Sequence, residues 1–490
     1  MKIFLNICLS FLFSHAIAQH NFNGPLKKSE TNPRYFTDNS GQAIYLTGSH
    51  TWENLQDMVS ASESDFDYHA YLDMMKKHHH NFMRMWAWEQ AQMAPWSSEI
   101  IIVKPLPFAR TGPGMAKDNK PKFDLTKYNP EYFSRLRQRV LDAGKKGIYV
   151  SIMLFQGWSQ DRIDSKVGNP FPFQPYNVVN NINKVGAPET PEDYDDKVSL
   201  HSMLIPAKLL AIQKAYVKKV IETVNDLDNV LYEIINEGGA TDWQYHMINF
   251  VKETEAKMPK QHPVGMTHRA DKKMTNQILF DSPADWISPN YSPYAWKMGD
   301  STLRSSFKEN PPESDGTKVI INDTDHLWGH GGNHKWVWKS FLRGLNPIFM
   351  DPWDPLPGKK NDDKAEGWLY HIDGITKDDR NYPDWDLIRQ NMGFTFNYAA
   401  KIDLNRMFPC SELSSTTYCL ADKGETYLFY FPEGGEGVIN LQDGTGEYNV
   451  EWFIPLLNRT LAGPKKLSGG STITVEAPTS LDAVLYLEKN

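Results

Sequence analysis

The chain is poor in cysteine, in basic runs and in long apolar segments, and each shortage removes a class of function. Only three cysteines occur in 490 residues. Cys8 lies inside the apolar stretch Ile3 to Phe13, too early for a lipoprotein cysteine, which leaves Cys410 and Cys419. In an oxidising compartment that close pair could form one disulfide. A net charge of −8, from 52 Lys+Arg against 60 Asp+Glu with no basic run, argues against a nucleic-acid surface. Past the N-terminus no segment reaches the roughly 18 apolar residues needed to span a bilayer. There is no phosphate-cradling Gly loop, no Gly-x-Ser-x-Gly elbow, no repeat and no low-complexity tract.

What is present starts with an address. Lys2, the apolar stretch Ile3 to Phe13 and Ala16-Ile17-Ala18 fit a cleavable secretory signal over residues 1–18. Cleavage near Ala18 predicts a mature chain that begins near Gln19 and is exported, to the periplasm or beyond. From about residue 43 to 403, short apolar runs alternate with amphipathic helical patterns, the mark of βα units and a parallel sheet. Eight strands can be counted: Ala43 to Leu46, Asn81 to Met85, Ile148 to Leu154, Val230 to Ile235, Pro263 to Thr267, Trp286 to Pro289, Lys318 to Asn322 and Pro347 to Met350. The expected fold is therefore α/β: a (β/α)8 TIM barrel over 19–405, followed by a small antiparallel β-sandwich over 406–490.

Helical spacing of Ile205, Leu209, Ile212, Tyr216, Val220 and Val224 predicts a helix packed on the outside of the barrel. A second helix is expected from Pro130 to Ala143 with Gly144 as its C-cap. Two connections, Glu89 to Asn129 and Phe155 to Met203, are long, rich in Pro, Gly and Asn, and follow strands, so they read as loops of the catalytic face. His78-His79-His80 reads as a solvated helix end.

Carboxylates close two of the strands. Val230-Leu-Tyr-Glu-Ile-Ile-Asn-Glu237 ends in Asn236-Glu237, and Lys318-Val-Ile-Ile-Asn-Asp-Thr-Asp325 ends in Asp323 and Asp325. The 86 residues between Glu237 and Asp323 suit three βα units of about 30 residues, which puts the acids on strands four and seven. Two facing carboxylates at the C-terminal mouth of such a barrel point to glycosidic bond cleavage. Fifteen Trp and 22 Tyr supply faces that suit the CH faces of sugars, although most such rings are expected in the core.

The segment Tyr232-Glu233-Ile-Ile-Asn236-Glu237 resembles the strand-four motif of clan A glycoside hydrolases. The resemblance implies that Glu237 is the general acid/base and that Asn236 bonds a sugar hydroxyl. Asn81-Phe-Met-Arg84 resembles the strand-two pattern in which an Arg contacts the nucleophile, and Tyr291 stands where the clan has a Tyr doing the same. Further substrate-binding candidates at strand ends are His50, Trp52, Gln156, Trp158, His268 and Trp353. Strand seven departs from the clan, which usually has Glu there. Asp323 aligns best as nucleophile and Asp325 is the alternative. Carboxyl groups about 5 to 5.5 Å apart would retain anomeric configuration and a wider gap would invert it; the resemblance favours retention.

The mature chain also resembles an exported bacterial group of apiosidase-type barrel hydrolases with a C-terminal β-domain labelled collagen-binding. Phe123-Asp-Leu-Thr-Lys-Tyr-Asn-Pro-Glu-Tyr-Phe133 and Trp336-Val-Trp-Lys-Ser-Phe-Leu-Arg-Gly-Leu-Asn-Pro347 carry that likeness. The implied partner is a plant or algal carbohydrate, with no cofactor; nothing in the sequence fixes the oligomeric state. Two other readings stand beside it. One is a non-catalytic carbohydrate-binding protein on a degenerate barrel. The other is a metal-dependent hydrolase using Asp323, Asp325, His326, His330 and His334, which the spacing disfavours because Gly329, Gly331 and Gly332 interrupt any helix that would align the histidines. No metal is therefore expected.

Overall fold

A computed structural model describes residues 22–60, 65–94, 100–160, 168–187, 200–268, 275–290, 308–328, 331–351, 353, 383–463 and 466–490. The expected signal segment, Tyr291 and His330 lie outside the described residues. Eight strands close into a parallel barrel: Gly48–His50, Phe82–Met85, Tyr149–Gln156, Val230–Asn236, Val264–Thr267, Trp286–Ser288, Val319–Asp323 and Asn346–Met350. Each pairs with the next in sequence, and the eighth pairs with the first through Ile348 opposite Gly48 and Met350 opposite His50. Strands of this kind, buried on both faces, read as continuous apolar runs, and Val230–Asn236 and Val319–Asp323 are buried at every position.

Seven of the eight strands fall where the sequence places them, and the first does not. Ala43–Ile44 instead pairs antiparallel with Phe36–Thr37 in a small three-stranded sheet, and the barrel strand is Gly48–His50. Gly-Ser-His carries little strand propensity. Its glycine is imposed by contact: a Cβ at Gly48 would lie 2.0 Å from the Phe82 carbonyl oxygen on the neighbouring strand.

The outer helices follow their apolar stripes. Ala207–Val224 buries Leu209, Ile212, Tyr216, Val220 and Val224, with Ile205 just ahead of its first turn. Pro130–Lys145 starts on an Asn129 side chain that accepts from the Glu131 N–H. It runs through Gly144, which lies against Asn229, and stops before Gly147, whose φ of 79° is the left-handed conformation that ends a helix. Gly147, and not Gly144, supplies the stop.

The described parts of the two long insertions are held by their own hydrogen bonds. Glu89 to Asn129 contains a strand, Ile102–Lys104, and a hairpin, Phe108–Met115 with Pro121–Tyr128. Asparagines organise the second insertion: Asn181 donates to the carbonyls of Pro175, Asn177 and Val185. The two insertions are joined where Phe123 donates to the Asn180 carbonyl and Ile182 donates back to Phe123.

The histidine run is packed, contrary to the solvated helix end expected. His78 and His80 are buried beneath the helix Pro383–Lys401, His80 against the Arg389 carbonyl, while His79 bonds Asn397. Burial holds the His80 imidazole at a pKa of about 3 and His78 at about 4.

After the barrel the chain forms a seven-stranded antiparallel sheet and a two-stranded ribbon, Glu436–Asn440 with Thr472–Glu476. Ile439 and Val475 of the ribbon share a core with Phe429, Trp452 and Leu485 of the sheet. The other face of the sheet packs on the barrel: Tyr430 stacks on Trp338 with ring centroids 6.0 Å apart. Cys410 and Cys419 are buried free thiols linked only through their backbones, Cys410 N–H to the Cys419 carbonyl at 2.9 Å. No helix among the described residues is long and apolar enough to cross a membrane.

Candidate active site

Arg84, on the second barrel strand, organises the mouth of the barrel. It is wholly buried, and its guanidinium donates to both oxygens of Glu233 at 2.9 and 2.7 Å, to Asn236 Oδ1 at 2.9 Å and to Asp323 Oδ2 at 2.5 Å. Such a fork of donors matches carboxylates as no lysine could. Glu233, placed inward by strand alternation, is thus the anchor of Arg84. Asn236 is equally occupied, since its amide nitrogen donates to Gln156 Oε1 at 3.1 Å.

Asp323 is held on every side. His50 Nε2 lies 3.0 Å from its Oδ1, Arg84 bonds its Oδ2, and Oδ1 also accepts the Asp325 N–H at 2.9 Å. Its side chain is fully buried. Burial alone would raise its pKa, but the charges of His50 and Arg84 outweigh that and hold the carboxyl well below the usual range. His50 is itself fixed, stacked on Trp86 with rings 5.2 Å apart and 9° from parallel.

Past Asp323 the chain does not continue as a strand. Thr324–His326 forms a 3-10 turn capped by the Asp323 side chain, so alternation ends and Asp325 swings toward strand four. There it meets Glu237, which follows the last residue of its strand with a left-handed φ of 43°. One side-chain ligand atom each from Glu237, Asp325 and His326 lies within 4.8 Å of the others. Asp325 Oδ2 is buried with no hydrogen bond and sits 3.7 Å from Arg84. Burial, then the charge of Glu237, then that of Asp323 raise its pKa well above the carboxylate range, and Arg84 offsets this only in part.

Glu237 accepts a hydrogen bond from the Trp158 indole. His326 Nδ1 lies 3.2 Å from Ser288 Oγ, and burial lowers its imidazole pKa. Of the other anticipated residues, Gln156 links Asn236 to the Trp158 backbone. His268 is buried at the end of strand five, its backbone bonded to Ser288. Trp353 is half-buried under Arg389. Trp52 is 4% exposed and packed on Trp86 and Trp88. Two buried polar residues at strand ends went unread in the sequence: Ser288 at the end of strand six, beside His326, and Asp351 after strand eight, with both oxygens bonded by Arg389. Each is a polar residue closing an apolar run, the same signal that marked Glu237.

A family model described as a domain of unknown function (DUF6298) matches residues 58–287, from the connection between strands one and two to strand six. The carboxylates of strand seven lie beyond that match. No curated protein matches the chain by sequence. Among solved structures, the chain is similar to a glycoside hydrolase at 14% identity and a TM-score of 0.60, over 96% of this chain and 97% of that one. It is also similar to a glycoside hydrolase family 5 protein from Bacteroides vulgatus, at 13% identity and a TM-score of 0.61, over 96% and 93%. What is shared is the fold. Its extent, barrel and β-domain together, accounts for nearly all of both chains.

Proposed function

We propose that the chain is an exported glycoside hydrolase acting on a plant or algal polysaccharide or its oligosaccharides, with Glu237 as acid/base and Asp325 as nucleophile. The observation that carries the reading is the approach of Glu237 and Asp325 to within 4.8 Å at the C-terminal mouth of the barrel. That spacing is nearer the about 5 to 5.5 Å of retaining enzymes than the about 6.5 to 9.5 Å of inverting ones, which supports retention. Asp323, the residue aligned best by sequence, serves the reaction indirectly: its charge is spent on Arg84 and His50. The solved glycoside hydrolases that share the fold support the same reaction class.

In this scheme Glu237, oriented by Trp158, gives a proton to the leaving oxygen. Asp325, with Arg84 at 3.7 Å to favour its ionised form, attacks the anomeric carbon, and water then releases the glycosyl group with Glu237 as base. Asn236, Gln156, His268 and Trp353 line the approach, and we assign 19–405 to the catalytic barrel and 406–490 to an appended β-domain.

The test is product release by purified protein from a panel of plant and algal glycans, alongside Glu237→Gln, Asp325→Asn and Asp323→Asn. Hydrolysis lost in the first two, with a product anomer that matches the substrate, supports the assignment. Binding of glycans with no cleavage by the unaltered protein would favour a carbohydrate-binding protein instead.

A further inference from the structure

We infer that Glu237, Asp325 and His326 form a divalent-cation site of the zinc type, and that the cation competes with the sugar for the two carboxylates. The inference uses the side chains of the proposed reaction but stands on their geometry, not on hydrolysis. Spacing along strand seven gives no metal motif, and the structure replaces the missing ligand with one from strand four. A carboxylate from Glu237, a carboxylate from Asp325 and a ring nitrogen from His326 lie within 4.8 Å of one another. Two carboxylates and an imidazole are a donor set that zinc accepts, with a fourth position left for water or a sugar oxygen.

Two independent observations point to a ligand there. His326 is 7% exposed, its Nδ1 faces Ser288 Oγ at 3.2 Å, and its Nε2 is buried with no hydrogen-bond partner. A neutral imidazole that is bonded at one nitrogen and bare at the other is the arrangement a metal-binding histidine needs. Asp325 Oδ2 is likewise buried with no hydrogen bond. Charge points the same way. Glu233, Asp323 and Asp325 pair with the single guanidinium of Arg84 and Glu237 lies near Asp325, so carboxylates outnumber the guanidinium that a cation would supplement. Tetrahedral donors about 2.1 Å from zinc stand about 3.4 Å apart, so each side chain needs to close in by less than about 1 Å.

The test is calorimetric titration of the full chain with zinc chloride near neutral pH, without sugar. The expected result is one saturable site, weakened at least about tenfold by Asp325→Asn and by His326→Ala, and unchanged by His79→Ala, which removes an exposed histidine outside the cluster. Absence of saturation up to about 1 mM zinc, or equal affinity in Asp325→Asn, overturns the site. Asp325→Asn keeps the side-chain shape, so it decides the matter even if His326→Ala fails to fold. Where hydrolysis is found, zinc should raise KM with little change in kcat. Zinc-dependent stimulation would overturn the competition and the carboxylate mechanism, while the binding arm would still judge the site.

Discussion

The two ends of the barrel treat buried charge in opposite ways. At the base, where helices lead into strands, Glu255 is 1% exposed and its oxygens accept from Tyr232 Oη, Asn225 Nδ2, the His262 N–H and His262 Nδ1. Every oxygen is used. At the mouth, three carboxylates share one guanidinium, and Asp325 Oδ2 and His326 Nε2 are buried with no hydrogen bond. A satisfied network stabilises the fold, whereas one left short marks where an outside partner is to be met. The contrast repeats at smaller scale two residues apart, in Asp323 against Asp325.

The largest expected effect breaks the mouth. Glu237→Gln and Asp325→Asn should each lower kcat by on the order of 10³-fold, whereas Glu255→Gln should leave kcat close to that of the unaltered protein. Steady-state kinetics on a cleaved glycan decides this, and an Asp325→Asn protein with undiminished turnover would end the assignment. The base should show the reverse. Glu255→Leu strips partners from His262, Tyr232 and Asn225 and should cost about 3 to 5 kcal/mol in urea unfolding, and a cost below about 1 kcal/mol would make the contrast between the ends illusory.

Asp323→Asn should destabilise by about 2 kcal/mol, because Arg84 and His50 lose their shared anion. The Asp323 pKa is lower in the folded chain than in the unfolded one, so its stabilisation is full above the ordinary carboxylate range and fades as pH falls through and below about 4. The penalty of Asp323→Asn, measured by unfolding at several pH values, should shrink on acidification. Asp325 has the opposite sign. Its pKa is raised on folding, so the ionised form costs stability that grows as pH climbs above the unfolded value. Asp325→Asn should therefore raise stability at neutral pH by about 1 kcal/mol, a difference that vanishes below about pH 4.

How much of this was legible beforehand varied with the kind of signal. Long apolar runs gave strands two to eight, and the apolar stripe of Ala207–Val224 gave its helix, because burial dictates those residues directly. Gly48–His50 was hidden because its residues are chosen for close contact and for a polar interior, not for strand propensity. Glu237 and Arg84 could be found because each ends or interrupts an apolar strand. Our proposed choice of Asp325 over Asp323 has no such signal, since it rests on a 3-10 turn that breaks strand alternation after residue 323. His326 and Ser288 meet because strands six and seven pair side by side, and no linear spacing encodes that contact.

Strands three and four approach so tightly at the mouth that a Cβ at Gly157 would lie 2.5 Å from the Glu237 carbonyl oxygen, and one at Gly238 would lie 2.7 Å from the Gly157 Cα. Any attempt to retune this protein by randomising its cleft therefore inherits two fixed points. A library that diversifies Trp158 or His268 explores sugar preference, while one that opens position 157 or 238 to side chains mostly samples displaced acids, and evolution searching the same landscape would have met the same wall.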